Sequence, residues 1–259
     1  MIFTVDVGNT NIVTGVFDND ENLVFTARMA TQSSKTADEY AVDFKNILGL
    51  YDVGINGFDG AIISTVVPSL MPVLKEAIKK LLKCRVIVVS SGIKTGLNIK
   101  IDDPAILGAD LVCGAVGAMA KYPLPLIVFD MGTATTISAI DRNGCFLGGT
   151  IFPGVKVSLK ALSSGTAQLP DINTELNGMS VIGKNSADSM KSGIVFGTAC
   201  MVDGMIERYK EEIGNDATVV ATGGIAPTIV AHCKNDIIVD ETLLTDGLLI
   251  IYKKNSPEK

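Results

Sequence analysis

Two segments of the chain repeat the same order of apolar and polar positions. Residues 2–18 read IFTVDVGNTNIVTGVFD, and residues 126–141 read LIVFDMGTATTISAID. Each begins with a short apolar run, turns at Asp-x-Gly followed by small hydroxyl or amide residues, and resumes with a second apolar run. Short β-branched and aromatic runs around a polar turn are typical of strands. The pattern therefore predicts a strand–turn–strand unit in each half of the chain, with Asp6 and Asp130 at corresponding positions.

The rest of the chain alternates strand and helix patterns. The apolar patterns predict strands near 23–29, 60–67, 85–90, 219–221 and 237–240. They predict helices after a capping box at 36–39, from 68, over about 186–213 and from 243. The glycines and proline within 146–154 suggest an open loop. Prolines near 121–125 interrupt the pattern, so we expect one domain over 1–121 and another over 122–259, with the last helix able to pack on the first.

The two turns have the composition of a phosphate site. Gly8 and Gly132 are expected to allow backbone angles closed to other residues and to let an anion approach the chain, and successive amides at such a turn can form an anion-binding concavity. A carboxylate beside a phosphate needs a cation between them, so Asp6 and Asp130 indicate Mg²⁺. The alternative is a plain hairpin whose Asp caps the turn; two copies in the same order favour the site. Neither GxxxxGK[ST] nor GxGxxG is present.

Composition narrows the class of protein. The net charge is −6 and there is no basic cluster, so nucleic acid is not an expected partner. No apolar stretch is as long as a membrane span, and the first residues do not have the pattern of a signal peptide, so we expect a cytoplasmic protein. Five scattered cysteines fit reduced thiols. The one histidine, His232, has nothing around it to support a nucleophilic triad.

One acid and one stripe of small residues stand out from their surroundings. Asp110 is isolated in the apolar segment ILGADLVCGAV, where a charge needs a reason. It is either a general base or an acid stabilised by a helix N-terminus. In the long helix, Ser189, Gly193 and Gly197 recur every four residues, which indicates close helix packing either within the chain or across a dimer.

These motifs together resemble the actin, hexokinase and acetate kinase superfamily, and within it the type III pantothenate kinases, over nearly the whole chain. The matching segments are DVGNTNIV at 6–13, GAD at 108–110, DMGTATT at 130–136, GGTIFPG at 148–154, LP at 169–170 and IGKNSADSMKSG at 182–193. The resemblance implies an α/β fold of two related actin-like (ribonuclease H-like) domains. Each would be a mixed, five-stranded type of sheet flanked by helices, with a cleft between the domains. It also implies a homodimer that phosphorylates pantothenate with ATP, the first step toward coenzyme A, and needs a monovalent cation, K⁺ or NH₄⁺.

The resemblance assigns roles residue by residue. Asp110 would be the proton acceptor, Asp130 would bind the monovalent cation, and Thr133 would contact ATP. The ATP-phosphate turn would comprise Asp6, Val7, Gly8, Asn9, Thr10, Asn11, Ile12 and Val13. The pantothenate-binding positions would be Gly108, Ala109, Asp110, Leu111 and Ser186.

The sequence departs from the family pattern on the acceptor side. Where the family typically has GxDR, Leu111 replaces the Arg, and where it often has Tyr-x-Asn-Pro, Ile101 and Asp103 replace Tyr and Asn. Ser186 replaces the more usual Thr. A charge-assisted hydrogen bond such as the Arg would make is worth roughly 1.5–3 kcal/mol. Two alternatives therefore stay open beside a pantothenate kinase: a kinase of another small hydroxyl acceptor, and a regulatory paralogue that binds nucleotide without transfer.

Overall fold

The structure, a computed structural model, describes residues 1–172 and 180–256. The strands are β1 (Ile2–Val7), β2 (Asn11–Phe17), β3 (Leu23–Ala30), β4 (Gly60–Thr65), β5 (Arg85–Val88), β6 (Asn98–Ile99), β7 (Leu126–Met131), β8 (Ala134–Ile140), β9 (Cys145–Pro153), β10 (Thr218–Thr222) and β11 (Ile238–Val239). The α-helices are α1 (Ala37–Leu50), α2 (Met71–Leu82), α3 (Ala109–Lys121), α4 (Val155–Ser164), α5 (Ser186–Ile213), α6 (Ala226–Val230) and α7 (Leu243–Asn255). Residues 68–70 and 104–106 form short 3₁₀ turns.

The chain divides into two compact units. The first comprises residues 1–97, 102–117 and 242–256, and the second comprises 98–101, 118–172 and 180–241. Within the described residues, no helix combines the length and the apolar character that a membrane crossing requires.

The first unit is built on a five-stranded mixed sheet in the order β3-β2-β1-β4-β5. β1 is antiparallel to β2 and parallel to β4. Alternation along β1 sends Phe3, Val5 and Val7 into a core shared with α1 and α2, so Asp6 lies on the opposite face of the sheet. Helix α7 packs against β1 and β4. The capping box that begins α1 is present as predicted, with the Thr36 amide donating to Glu39 Oε2 at 2.8 Å.

The second unit repeats this topology. Its sheet has the order β11-β10-β7-β8-β9-β6, with β7 antiparallel to β8 and parallel to β10, as β1 is to β2 and β4. Phe129 and Met131 join a core with α4 and α5, which leaves Asp130 on the other face. The predicted strand–turn–strand repeat is therefore confirmed. The second sheet has a sixth member because the two-residue β6 pairs in parallel with β9.

The expected open loop over 146–154 is wrong, because these residues belong to β9 except for the last. Gly149 is required there by close packing rather than by an open loop. A methyl group at Gly149 would lie 2.0 Å from the Ile137 carbonyl oxygen on β8, so only glycine allows the two strands to approach in register. Glycine and proline thus mark a tightly packed strand here.

The stripe of small residues on α5 does not pack inside the described part of the chain. A methyl group at Gly193 or Gly197 would meet no atom within 4 Å, and both glycines are exposed. Internal packing, one of the two alternatives for the stripe, is therefore not found for these glycines among residues 1–172 and 180–256. The contact across a dimer remains a prediction.

Candidate active site

The turn between β1 and β2 carries Asp6 at its base. The Gly8 amide donates to the Asn11 carbonyl oxygen at 2.9 Å, which closes the turn. Thr31, which follows β3, braces it from the side, because its Oγ1 donates to the Gly8 carbonyl oxygen at 2.7 Å. Residues 9–11 are exposed. The turn is therefore held in place from behind while its polar tip faces solvent.

Not every residue predicted for the phosphate turn can use its side chain there. Val7 and Ile12 are fully buried, pair with each other across β1 and β2, and belong to the core of the first unit. Val13 pairs with Asp6 and is half-buried. Any contact of Val7 and Ile12 with a ligand would therefore come from their backbone.

The turn between β7 and β8 is packed from two sides by glycines. A methyl group at Gly154 would lie 2.4 Å from the carbonyl oxygens of Gly132 and Thr133, and one at Gly223 would lie 2.5 Å from the carbonyl oxygen of Met131. The Gly154 amide also donates to the Thr133 carbonyl oxygen at 3.0 Å. These contacts fix the backbone of the turn, and Gly132 and Thr133 are exposed at its tip.

One of the two reasons expected for glycine at these turns does not apply. Neither Gly8 nor Gly132 has a positive φ, so the expectation of unusual backbone angles is wrong. A methyl group at Gly132 would meet only ordinary contacts, the nearest being the Ala134 carbonyl oxygen at 3.7 Å and Asp130 Oδ1 at 3.8 Å. No contact among the described residues therefore requires glycine at 132, and the expected approach of an anion stays a prediction.

Asp110 lies in the first turn of α3 and is half-buried. Its Oδ1 accepts a hydrogen bond from the Leu111 amide at 2.8 Å. A methyl group at Gly108 would lie 2.5 Å from the same oxygen, so glycine at 108 makes room for the carboxylate. Burial raises the pKa of Asp110 above its usual range, and the Leu111 amide lowers it by less. A carboxylate with a raised pKa is the ordinary requirement of a general base near neutral pH.

Asp6 and Asp110 both raise the pKa of one buried thiol in the first unit, that of Cys113. Cys113 follows Asp110 by one helical turn and is fully buried. Burial is the largest cause of its strongly raised pKa, and the charges of Asp6 and then Asp110 raise that pKa further, while the nearby Ser64 hydroxyl lowers it. The structure therefore brings together the predicted phosphate turn and the predicted base, with a neutral thiol beside them.

Asp6 and Asp130, the acids of the two turns, each have a hydroxyl residue in register on a neighbouring strand. Two of these hydroxyls, one beside each acid, make no hydrogen bond of ordinary geometry. Ser64 pairs with Asp6 across the parallel strands β1 and β4. Thr136 pairs with Asp130 across β7 and β8. Among the described residues, Ser64 Oγ and Thr136 Oγ1 are the buried side-chain polar atoms without a hydrogen bond. Such atoms are rare and need an explanation.

Ser186, the predicted pantothenate contact outside 108–111, is the first residue of α5 in the second unit and is exposed. The helix is capped by Asn185, whose Oδ1 accepts from the Asp188 amide at 2.9 Å. The Ser186 hydroxyl therefore stands at the start of a well-capped helix rather than serving as the cap itself.

The residues around Asp6 fit a metal ion that would take the rest of its ligands from a bound phosphate and from water. Over residues 1–172 and 180–256, no group of three or more His, Cys, Asp and Glu side chains is arranged to hold a metal ion. Mg²⁺ usually keeps several waters and binds one or two carboxylates together with substrate phosphates. A single carboxylate beside an exposed polar turn, as at Asp6, meets that description, and the partnerless hydroxyl of Ser64 next to it is the kind of group that a ligand-bound state would use.

Comparison with known proteins decides the family. The family model described as type III pantothenate kinase matches residues 2–208. The chain belongs to the type III pantothenate kinase family. The expectation drawn from the motifs is thereby confirmed for the family and for its class, a kinase.

Members of the type III pantothenate kinase family resemble the chain over nearly its full length. A type III pantothenate kinase of Exiguobacterium sp. is 42% identical over 255 residues, covering 98% of this chain and 99% of that protein. Another from Halalkalibacterium halodurans is 41% identical, covering 98% of this chain and 100% of the relative. The similarity therefore includes both units.

Solved structures with low sequence identity share the fold of this family member. Component A of (R)-2-hydroxyglutaryl-CoA dehydratase from Acidaminococcus fermentans matches with a TM-score of 0.59 at 15% identity, covering 99% of this chain and 100% of that one. A ROK hexokinase from Thermus thermophilus matches with a TM-score of 0.53 at 13% identity, covering 98% and 99%. They confirm the predicted pair of related actin-like domains.

Sequence reasoning missed two residues near these turns, Ser64 and Gly223. It named Gly108 as a pantothenate-binding position, but not as the space that the Asp110 carboxylate occupies. Ser64 stands in the apolar run GAIIST, where a lone hydroxyl could have been questioned as Asp110 was. Gly223 has a φ of 96° as well as its close approach to Met131. A packing distance of this kind has no signal in a single sequence.

Proposed function

We propose that the chain transfers the γ-phosphoryl group of ATP to the primary hydroxyl of pantothenate, with Asp110 as the general base. The product is 4′-phosphopantothenate, and the reaction is the first step of coenzyme A biosynthesis. The observation that carries the proposal is the carboxylate of Asp110, which has a pKa raised by burial and shares the first unit with the Asp6 turn. The names of the relatives support pantothenate as the acceptor.

Asp110 would take the proton from the acceptor hydroxyl as its oxygen bonds to the γ-phosphorus and the bond to ADP breaks. Phosphoryl transfer otherwise requires mainly positioning and charge neutralisation. The Leu111 amide fixes one carboxylate oxygen at 2.8 Å, and Gly108 leaves the space in which that oxygen lies. The pKa of Asp110, raised by burial, favours uptake of the hydroxyl proton by the carboxylate.

The Asp6 turn would hold the phosphates of ATP. Residues 8–11 offer a braced polar tip, and Asp6 would bind Mg²⁺ jointly with the phosphate oxygens. When bound, Mg²⁺ would neutralise charge on those oxygens. The structure of the Clostridium difficile 2-hydroxyisocaproyl-CoA dehydratase activator, which is similar in fold at a TM-score of 0.58, is described with bound ADPNP. This supports nucleotide binding as a use of the fold.

The second turn would hold a monovalent cation at Asp130 and contact ATP through Thr133. Oxygen ligands suit K⁺, and Asp130 has hydroxyl residues in register on both neighbouring strands, Thr136 on β8 and Thr222 on β10. The buried, partnerless hydroxyl of Thr136 supports a ligand at this place. NH₄⁺ would donate hydrogen bonds to the same set of oxygens.

Pantothenate would bind at Gly108, Ala109, Asp110 and Leu111 and at Ser186. Leu111, half-buried on α3, cannot supply the charge of the Arg that the family typically has. Asp103, where the family often has Asn, caps the 3₁₀ turn by accepting from the Ala105 amide at 3.0 Å. Asp and Asn are equally good caps, so that change keeps the local structure and adds a charge.

We also propose that the protein is a cytoplasmic homodimer. The exposed Gly193 and Gly197 on α5 would allow a second chain to approach the helix backbone closely, since a methyl group at either would meet no described atom within 4 Å. Light scattering that gives the mass of a single chain of 27.2 kDa at working concentrations would refute the dimer.

The proposal is tested by measuring ADP release with and without pantothenate in potassium buffer. Pantothenate-dependent release supports it. Release that depends on a different small hydroxyl compound would favour a kinase of another acceptor. Binding of an ATP analogue without transfer to any acceptor would favour the regulatory alternative. Identification of 4′-phosphopantothenate by mass spectrometry fixes the position of the phosphate.

A further inference from the structure

Ser64 is a buried hydroxyl residue that the fold does not satisfy. Its side chain is 0% exposed, and Oγ makes no hydrogen bond of ordinary geometry; the polar group next to it is the Cys113 thiol, a weak donor and acceptor. The next residue provides a contrast, because Thr65 Oγ1 accepts from the Val67 amide at 3.0 Å. Thr4, equally buried on β1, donates from Oγ1 to the Gly15 carbonyl oxygen at 3.2 Å. Leaving a buried hydroxyl unpaired destabilises a protein, so the unliganded fold gains nothing visible from Ser64.

The position of Ser64 points to Asp6. The two residues are in register on adjacent parallel strands, so their side chains lie on the same face of the sheet at the spacing of neighbouring strands, about 4.8 Å. That spacing brings a serine hydroxyl within hydrogen-bond reach of an aspartate carboxylate once the carboxylate rotates toward it.

Cys113 is the other polar group beside Ser64, and it is a poor partner. Its thiol is fully buried next to the Ser64 hydroxyl. A neutral thiol is only a weak donor and a weak acceptor. A carboxylate accepts much stronger hydrogen bonds from a hydroxyl than a thiol does, so Asp6 is the competent partner on this face.

We propose that Ser64 is a positioning residue of the phosphoryl-transfer site, donating a hydrogen bond from Oγ to the Asp6 carboxylate when a metal–nucleotide complex is bound. The bond would fix one carboxylate oxygen and leave the other directed at the cation. Supporting groups of this kind orient metal-binding side chains and strongly affect metal affinity. This inference rests on the proposed role of Asp6.

The test combines stability and binding in the intact protein. Ser64→Ala should keep or raise the unfolding temperature of the unliganded protein, because a hydroxyl without a partner is removed. It should weaken binding of a nonhydrolysable ATP analogue in excess Mg²⁺ by about tenfold or more, the effect expected for a hydrogen bond to a charged group. Binding with a chelator present should not change. Calorimetric titration measures both affinities.

Two further variants separate a positioning role from general damage. Ser64→Thr retains the hydroxyl and should restore the magnesium-dependent affinity, whereas Ser64→Cys, of similar size, should not. Thr4→Val is the matched control: it removes a buried hydroxyl that is already satisfied, so it should lower the unfolding temperature and leave the affinity unchanged. If Ser64→Ala does not fold, the comparison of the Thr and Cys variants decides.

Several results would overturn the inference. They are an unchanged affinity in Mg²⁺ for Ser64→Ala, an equal loss with and without metal, or a lower unfolding temperature of the unliganded variant. Asp6→Asn, measured in parallel, distinguishes this failure from that of the proposed function. If Asp6→Asn loses magnesium-dependent binding and Ser64→Ala does not, only the role of Ser64 fails. If neither loses it, the proposed role of Asp6 fails as well.

Discussion

Replacing Gly108 by Ala should displace the carboxylate of the proposed base without disturbing the fold. The new methyl group would lie 2.5 Å from Asp110 Oδ1, whereas ordinary contacts begin at 3.4 Å, so the oxygen must move by about 0.9 Å. A misplacement of about 1 Å at a reacting group lowers the rate on the order of 100-fold, which corresponds to about 2.7 kcal/mol in the barrier. Gly108 has no positive φ, so alanine strains no backbone angle there.

The assay is the steady-state rate of pantothenate phosphorylation at saturating ATP, with the pH dependence of kcat as a second readout. We expect kcat to fall about 100-fold. The acid limb of the pH profile should move to lower pH, because a displaced carboxylate is better solvated and loses part of the burial that raises its pKa. Affinity for an ATP analogue should stay that of the parent.

Gly114→Ala is the matched control on the same helix. A methyl group there would meet its nearest atom, Leu244 Cδ1, at 3.9 Å, so it fits, and alanine should stabilise α3 by about 1 kcal/mol. Its kcat should equal that of the parent. If Gly108→Ala keeps the parental kcat and unfolding temperature, the position of the Asp110 carboxylate does not limit the reaction, and the assignment of Asp110 as the base loses its geometric support.

Three further changes test other parts of the site. Asp110→Asn should abolish transfer and retain ATP-analogue affinity. Because the pKa of Asp110 is raised in the folded state, its carboxylate lowers stability as pH rises through that pKa, so Asn should raise the unfolding temperature at pH 7 and not at pH values below the usual Asp range. Gly132→Ala should unfold like the parent but bind the ATP analogue roughly tenfold more weakly, about 1.4 kcal/mol, in calorimetric titration. Thr136→Val should stabilise the protein by about 1–3 kcal/mol in denaturant unfolding and raise the K⁺ concentration needed for half-maximal activity; parental K⁺ dependence would remove Thr136 from the cation site.

The sequence was most informative where local rules decide the structure. The two Asp-x-Gly turns, the capping box at Thr36 and the long helix α5 all follow from short-range patterns, and each is present. The resemblance of motifs led to the right family, because DVGNTN and DMGTATT are specific in their residues and also in their separation along the chain.

The sequence was least informative where a glycine is required by contact with a residue distant in the chain. From the sequence, Gly149 suggests an open loop, yet it lies in β9 against the backbone of β8. Gly193 and Gly197 indicate helix packing within the chain or across a dimer, and a methyl group at either meets no atom within 4 Å in the described chain. A glycine lacks a side chain in every context, so the sequence shows that space is required and leaves open whether a turn, a strand, another chain or a ligand requires it.

The location of the proposed base depends on the same kind of distant contact. A methyl group at Gly247 on α7 would lie 1.9 Å from the Cys113 carbonyl oxygen, and one at Gly117 on α3 would lie 2.2 Å from a carbonyl oxygen at the start of α7, so the two helices meet backbone to backbone. Since α7 also packs on β1 and β4, it fixes the distance of α3 from the sheet that carries the first turn. Asp110 is one helical turn from this contact. Glycines from two distant parts of the chain therefore set the depth at which the carboxylate is buried, and the raised pKa of Asp110 follows from that depth rather than from its own sequence motif.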